Sequence, residues 1–334
     1  MKDIFFNIVF IFLLDSWDAV ISHTGFYDPR EREKLENQLC NFARRTKTKM
    51  IFIVEYVELK PLDYLVDGVI ATNGEIEDKR RIRTISLQKL RGCAIKHPVY
   101  LYSLHDGMFK CFYDSGHGEI EYPMVPEPIH DPNAGKSRVT TGIKDLDAVI
   151  GGYGSLNLFK AGYAPYRLLM QAASINSLNL GRAVVFTSPK QSRLINKILP
   201  FVEPRYQANI TVIDVHKTDI NEFNQKVSDL NERIGADARK MVFFNFDGIE
   251  REKKKEVVEG IILPLMKEGF TVFGSTSGEK GMETEMEPIA SVFIVLEMIS
   301  GVPCMYGETP RTGIHVMQVS TANGFPEIKL TPIE

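Results

Sequence analysis

Two hydrophobic rhythms run through the second half of the chain. Short continuous apolar runs recur at Ser155–Ala161, Ala183–Thr187, Asn209–Val215, Met241–Phe246, Phe270–Ser275 and Ala290–Leu296. Such runs are what strands buried on both faces look like. Between them apolar residues return every three or four positions. Ile220, Phe223, Val227, Leu230 and Ile234 make one helical stripe, and Val257, Val258, Ile261, Ile262, Leu265 and Met266 make another. Pro264 is expected to kink the second helix. Strands alternating with helices predict right-handed crossovers and a mostly parallel sheet. Two final strands, near Gly313–Val319 and Ile328–Leu330, are expected to extend that sheet antiparallel.

The first 115 residues read differently. Phe5–Leu14 is a ten-residue run that is apolar apart from Asn7. It is too short to span a bilayer, and no small-residue cleavage site follows it, so it is read as a buried parallel strand. Pro29 opens a charged helix that carries Leu35, Leu39, Phe42 and Ala43 on one face, and Met50–Val54 predicts a second buried strand. Strand-like runs follow at Gly68–Thr72, Ile82–Leu87 and Val99–Leu104, and a turn at Asp106-Gly107 leads into Met108–Phe112. Residues 116–137, with Pro123, Pro126, Pro128 and Pro132, form a linker.

Composition narrows the class without naming a chemistry. The chain has 334 residues, 44% hydrophobic and 25% charged, with a formal net charge of −3, the balance of a globular protein with no global pull toward nucleic acid or anionic lipid. Cys40, Cys93, Cys111 and Cys304 lie far apart, which argues against a zinc site or disulfide framework and suits a reducing, cytoplasmic setting. The histidines are scattered, and none is read as a metal ligand. The basic runs Lys79–Arg83 and Arg251–Lys255 fit solvated faces better than a nucleic-acid stripe.

The segment Thr141-Gly142-Ile143-Lys144-Asp145-Leu146-Asp147, continuing to Gly151-Gly152, resembles the TGI-x-x-LD-x-x-x-GG entry of the KaiC and RadA families of RecA-type ATPases. In the first segment Val9–Ser16 resembles a Walker B strand ending in Asp15. Asp67-Gly68-Val69-Ile70 and Lys89-Leu90-Arg91-Gly92 resemble the closing elements of a KaiC domain. The Asp15–Asp18 stretch and the KLRG form look most like archaeal KaiC-like proteins, a group that includes GvpD-type regulators of gas vesicle formation. The resemblance implies a RecA-like α/β fold: a complete C-terminal core over 138–334, preceded by the C-terminal half of a second RecA/KaiC-like core over 1–115.

The chemistry that this fold normally carries is expected to be lost in the second domain. A phosphate loop needs Gly-x-x-x-x-Gly-Lys-Ser/Thr, so that backbone N–H groups wrap the phosphates, the lysine neutralises charge and the hydroxyl holds magnesium. Counted from Gly162 through Pro165, the second glycine becomes Arg167, the lysine Leu168 and the hydroxyl residue Leu169, with a helix expected to begin near Leu168. Arg167 could still meet an anion at that helix start. The strand in the Walker B position ends at Asn245, with Asp247 two residues displaced, and Ser188-Pro189-Lys190 stands where relatives place paired glutamates. The sequence Gly135-Lys136-Ser137 imitates a phosphate loop, but it follows no strand and is read as linker.

These readings favour a pseudo-ATPase that works as a regulatory or assembly module through protein contacts. Its partner would be another copy, or a KaiC- or GvpD-like ATPase or regulator, and no cofactor is expected in the C-terminal domain. The alternative is an in-trans ATPase subunit in which Asp15 orients magnesium and Lys89 and Arg91 reach a neighbour's ATP. A RecA-like DNA-binding protein is the third reading, and the absence of a basic stripe weighs against it.

Overall fold

The computed structural model describes residues 11–26, 28–55, 61–113, 120–132, 138–161, 163–188, 191, 193–215, 217–235, 239–277 and 286–333. The expected strand segment 5–10, Gly162, the Pro189-Lys190 pair and the Gly-Lys-Ser of the linker lie outside these residues. Two compact units emerge, one of Met1–Thr72 with Ile85–Val99 and the other of Asn73–Thr84 with Tyr100–Glu334.

In the first unit, β1 (Ile11–Leu14) pairs in parallel with β2 (Lys49–Phe52), Leu13 opposite Ile51 and Leu14 opposite Phe52. The connection holds two helices, α1 (Trp17–Thr24) and α2 (Pro29–Thr46). Ser16 caps α1 by accepting the Ala19 N–H, and Asp28 caps α2 at Arg30 and Glu31, with Pro29 pre-set for the first turn. Trp17, Ile21, Cys40 and Leu62 form the core, with Leu14, Phe52 and Val54 packed on it. The expectation of a buried first strand needs correcting. Ile11 is 63% exposed, Phe12 51% and Leu13 58%; among the described residues of β1 only Leu14 packs on the helical core. A short helix α3 (Pro61–Leu65), which the sequence reading did not anticipate, precedes the hairpin of β3 (Gly68–Glu77) and β4 (Arg80–Leu90). The hairpin's outer part, Asn73–Thr84, groups with the second unit.

Within the second unit Arg80, 5% exposed, donates to the Gly307 and Thr312 carbonyls, pairs with Asp78 and Glu308, and lies over the Tyr306 ring. β5 (Val99–Ser103) and β6 (Lys110–Phe112) follow as an antiparallel pair. Residues 120–132 are extended and anchored. Asn176 clasps Ile129 through both backbone groups, and Asp131 accepts from Arg182 (2.8 Å) and the Thr140 N–H (2.9 Å).

The main sheet has nine strands. They are β7 (Leu156–Ala161), β8 (Ala183–Phe186), β9 (Ile210–Val212), β10 (Lys240–Asn245), β11 (Thr271–Thr276), β12 (Val292–Ile299), β13 (Val302–Thr309), β14 (His315–Ser320) and β15 (Glu327–Pro332). Their spatial order is β15-β14-β13-β12-β7-β11-β10-β8-β9. The run from β12 to β9 is parallel and the β12–β15 end antiparallel. This α/β architecture is consistent with a RecA-like fold. Helix α4 (Lys144–Ile150) precedes β7. Helix α5 (Tyr163–Asn179) covers one face through Tyr166, Leu169, Met170 and Ala173, against Phe159, Phe186, Phe243 and Phe273. On the other face α6 (Ile220–Ile234) and α7 pack Phe223, Val227, Ile261 and Leu265 against Val242, Phe244 and Val272. Helix α7 comprises Lys254–Val257, a π turn Val258–Ile262 and Leu263–Lys267. The π turn, in which the Leu263 N–H donates to the Val258 carbonyl, ends just before Pro264, where the sequence predicted a kink.

The Thr-Gly-Ile segment is a packing device. The Asp147 carboxylate accepts from Thr140 Oγ1 and the Thr141 N–H (2.7 Å). Burial outweighs those bonds and raises its pKa. Gly142 has φ +77°, and a Cβ there would meet the Ala172 carbonyl oxygen at 2.7 Å, so glycine lets the loop lie against α5.

Candidate nucleotide site

In an open parallel sheet, ligands sit beyond the carboxyl ends of the strands, where the strand order reverses. Here that crest is formed by the ends of β7, β11, β10 and β8. Strand β7 ends at Ala161 and α5 begins at Tyr163, so one residue joins them. The expected helix start near Leu168 is therefore corrected: the helix begins five residues earlier. Leu168 and Leu169 lie in its second turn, and the counted register is helical from Tyr163 to Leu169. Pro165 is accommodated as the third helical residue, where its missing N–H has no intrahelical partner to lose. Leu169 is 1% exposed and Leu168 packs against the same core from a half-buried position.

Tyr166 was not singled out in the sequence, yet from α5 it packs onto the sheet face beside Phe159 near the ends of these strands. Its ring is 3% exposed and 5.0 Å from Phe159, and its buried hydroxyl meets no hydrogen-bond partner among the described residues. Burial pushes its phenol well above the ordinary tyrosine range. Below it an aromatic row continues from Tyr153 to Phe273 (4.8 Å), Phe243 (4.5 Å) and Phe186 (5.4 Å). Arg167, the candidate anion ligand, is half-buried.

The remaining strand ends are tied to one another. Asn245 caps the short turn after β10 by accepting the Asp247 N–H at 3.1 Å. Asp247 reaches across to β11, where its carboxylate accepts from Thr276 Oγ1 (3.2 Å) and the Ser277 N–H (2.8 Å). On β8, Thr187 donates to the Phe243 carbonyl, and its own N–H is held by Gln191. Phe246 lies so close over Gly274 that a Cβ there would fall 2.1 Å from the ring.

In the first unit Asp15 is exposed at the carboxyl end of β1. Lys89 Nζ donates to the carbonyls of Asp63 (2.8 Å) and Tyr64 (3.1 Å). Arg91 pairs with Asp67 (2.8 Å) and also reaches the Tyr64 carbonyl. Both cations therefore meet the last turn of α3, where carbonyls lack intrahelical partners. Next to Asp15 lies a network that the sequence reading missed. Glu36, 2% exposed, accepts from Trp17 Nε1 (2.9 Å) and Arg32 Nε (2.8 Å), and Arg32 Nη2 also meets Asp18 at 3.0 Å. The i,i+4 spacing of Arg32 and Glu36 was its only sequence signal. Among the described residues no group of three or more His, Cys, Asp or Glu side chains could hold a metal ion, and no helix is long and apolar enough to cross a membrane.

Residues 7–91 match the family model described as GvpD gas vesicle protein, P-loop domain, a range that includes Asp15 and Lys89 and ends at Arg91. The chain is 24% identical to Protein GvpD2 of Halobacterium salinarum, across 95% of its own length and 72% of that protein. To Protein GvpD1 of the same organism it is 31% identical, across 42% of its length and 27% of that protein.

Proposed function

We propose, from the likeness of residues 7–91 to the GvpD P-loop domain and of the chain to GvpD1 and GvpD2, that it regulates gas vesicle formation through protein contacts without hydrolysing ATP in its second unit. The observation that carries this reading is the single-residue connection between β7 and α5, with the Tyr166 ring buried in the core under α5. A phosphate loop works by curling several backbone N–H groups around an anion. A helix that starts two residues after the strand leaves little backbone to curl, and the Tyr166 ring of its first turn is committed to the apolar core beneath it. The residues at this crest do not fit a nucleotide's phosphates or its magnesium. Asp247, the nearest carboxylate in sequence to the Walker B position, accepts hydrogen bonds from Thr276 and Ser277.

The in-trans reading draws on Asp15 alone, which is exposed at a strand end. Lys89 and Arg91 weigh against it, since both are engaged in closing α3. A phosphate-release assay on the purified full chain, alone and mixed with a gas-vesicle ATPase candidate, separates the two. The pseudo-ATPase reading expects no turnover from the chain alone and no dependence of the mixture on Asp15. Turnover by the mixture that Asp15→Asn abolishes would establish the in-trans role instead.

A further inference from the structure

The β1–β2 pair of the first unit and the β10–β11 pair of the second share one plan: two parallel strands joined through helices that cover one face. In the second unit both faces are closed. Val242 and Phe244 lie under α6 and α7, while Phe243 and Phe273 lie under α5, all at most 1% exposed. In the first unit Leu14 and Phe52 pack on the helices. Alternation along each strand sends Ile11, Leu13, Ile51 and Ile53 to the other side. There they stand 63%, 58%, 49% and 38% exposed. Phe12, which alternation sends to the helix side, is also 51% exposed, so the apolar surface is widest where these four aliphatic side chains stand together. A patch of that kind is one that monomers seldom leave in water.

The charges at its rim indicate what covers it. Lys49 opens β2 opposite Ile11, and Asp15 follows Leu14 at the other end of the strands. Within one chain they are about 13 Å apart along the strand direction, too far to pair. A two-fold axis through the patch, with the strands of the two copies antiparallel, brings Asp15 of each chain to Lys49 of the partner subunit. Such self-complementarity, an apolar centre with opposite charges at opposite ends, is what an isologous contact requires.

We propose that this face binds a second copy of the chain, the two β1–β2 sheets packing face to face. The inference does not depend on how the nucleotide question is resolved.

The test is sedimentation velocity of the full chain over a concentration series at low salt. The wild type is expected to dimerise, and Leu13→Glu or Ile51→Glu to weaken the dimer by about 100-fold or more, as a carboxylate buried without a partner should. Emission from Trp17, the chain's one tryptophan and 1% exposed, checks that the unit is still folded. The decisive set needs no change in the apolar surface. Asp15→Lys and Lys49→Asp are each expected to weaken the dimer roughly 5- to 10-fold, and the double exchange to restore it to within about 3-fold of wild type. A wild type that stays monomeric or forms only larger assemblies, a dimer indifferent to Leu13→Glu in a folded chain, or a double exchange no better than its two single changes would each overturn the proposal.

Discussion

Replacing Tyr166 by alanine removes a ring that is 3% exposed, packed 5.0 Å from Phe159 and sited where the sheet's carboxyl ends converge. Truncating a buried aromatic to alanine costs about 3–5 kcal/mol, from lost burial and from the cavity left behind. The neighbours make the upper part of that range the better estimate. Leu169, Met170, Phe243 and Phe273 belong to the same closely packed core and are held by a helix and a sheet that cannot readily collapse inward. Tyr166→Phe keeps the ring and removes only a buried hydroxyl that has no hydrogen-bond partner among the described residues, a change expected to be neutral or mildly stabilising. Urea unfolding followed by far-ultraviolet circular dichroism would compare the variants. Tyr166→Ala is expected to lower the midpoint of the second unit's transition by far more than Tyr166→Phe. If Tyr166→Ala left that transition in place, the ring would not be part of the core, and the case built on its packing would fail.

Four further outcomes follow from the same geometry. Arg32→Met should destabilise the first unit by about 2–3 kcal/mol, since it strands the buried Glu36 carboxylate, and Arg32→Met with Glu36→Leu should recover most of that loss; Trp17 fluorescence during unfolding reads both. Gly274→Ala should cost at least about 2 kcal/mol in thermal unfolding, because the new methyl falls within 2.1 Å of Phe246, whereas adding Phe246→Leu should relieve part of the strain. Lys89→Ala and Arg91→Ala should each lower the stability of the first unit by no more than about 1 kcal/mol in urea titrations, the scale of a helix-end contact. The alkaline limb of stability should also respond. Burial raises the phenols of Tyr153 and Tyr166 above their unfolded value of about 10, so their contribution is complete below that pH and is lost as pH rises through the folded values. A Tyr153→Phe/Tyr166→Phe double variant should flatten that limb in denaturation curves between pH 9 and about 11.5.

The sheet of the second unit could be read from sequence because its strands are apolar runs buried on both faces, bracketed by Gly, Pro and polar turns. Strand β13 escaped because Pro303 and Gly307 interrupt Val302–Thr309 and mimic a loop; both sit in an antiparallel strand near the sheet's outer end. Helix α1 was missed for its length, eight residues with a modest apolar stripe. At the crest, the spacing of a phosphate loop was counted onto a segment that is helical from Tyr163 onward. Tyr163-Ala164-Pro165 looks like a turn in sequence, although proline is compatible with a helix's first turn. That Tyr166 packs into the core under α5 was not legible, since it depends on where the helix begins. The apolar run ending at Leu14 shows the opposite failure. Its composition predicted burial, but burial depends on what covers the face, and composition does not specify that.

The central claim concerns one crest and one ligand, and isothermal titration of the full chain with Mg-ATP addresses it directly. With the β7–α5 connection reduced to a single residue and Tyr166 seated above the strands, titration is expected to release no heat beyond dilution. Saturable binding in the micromolar range at one site per chain, retained in Asp15→Asn, would place the nucleotide in the second unit and contradict the account.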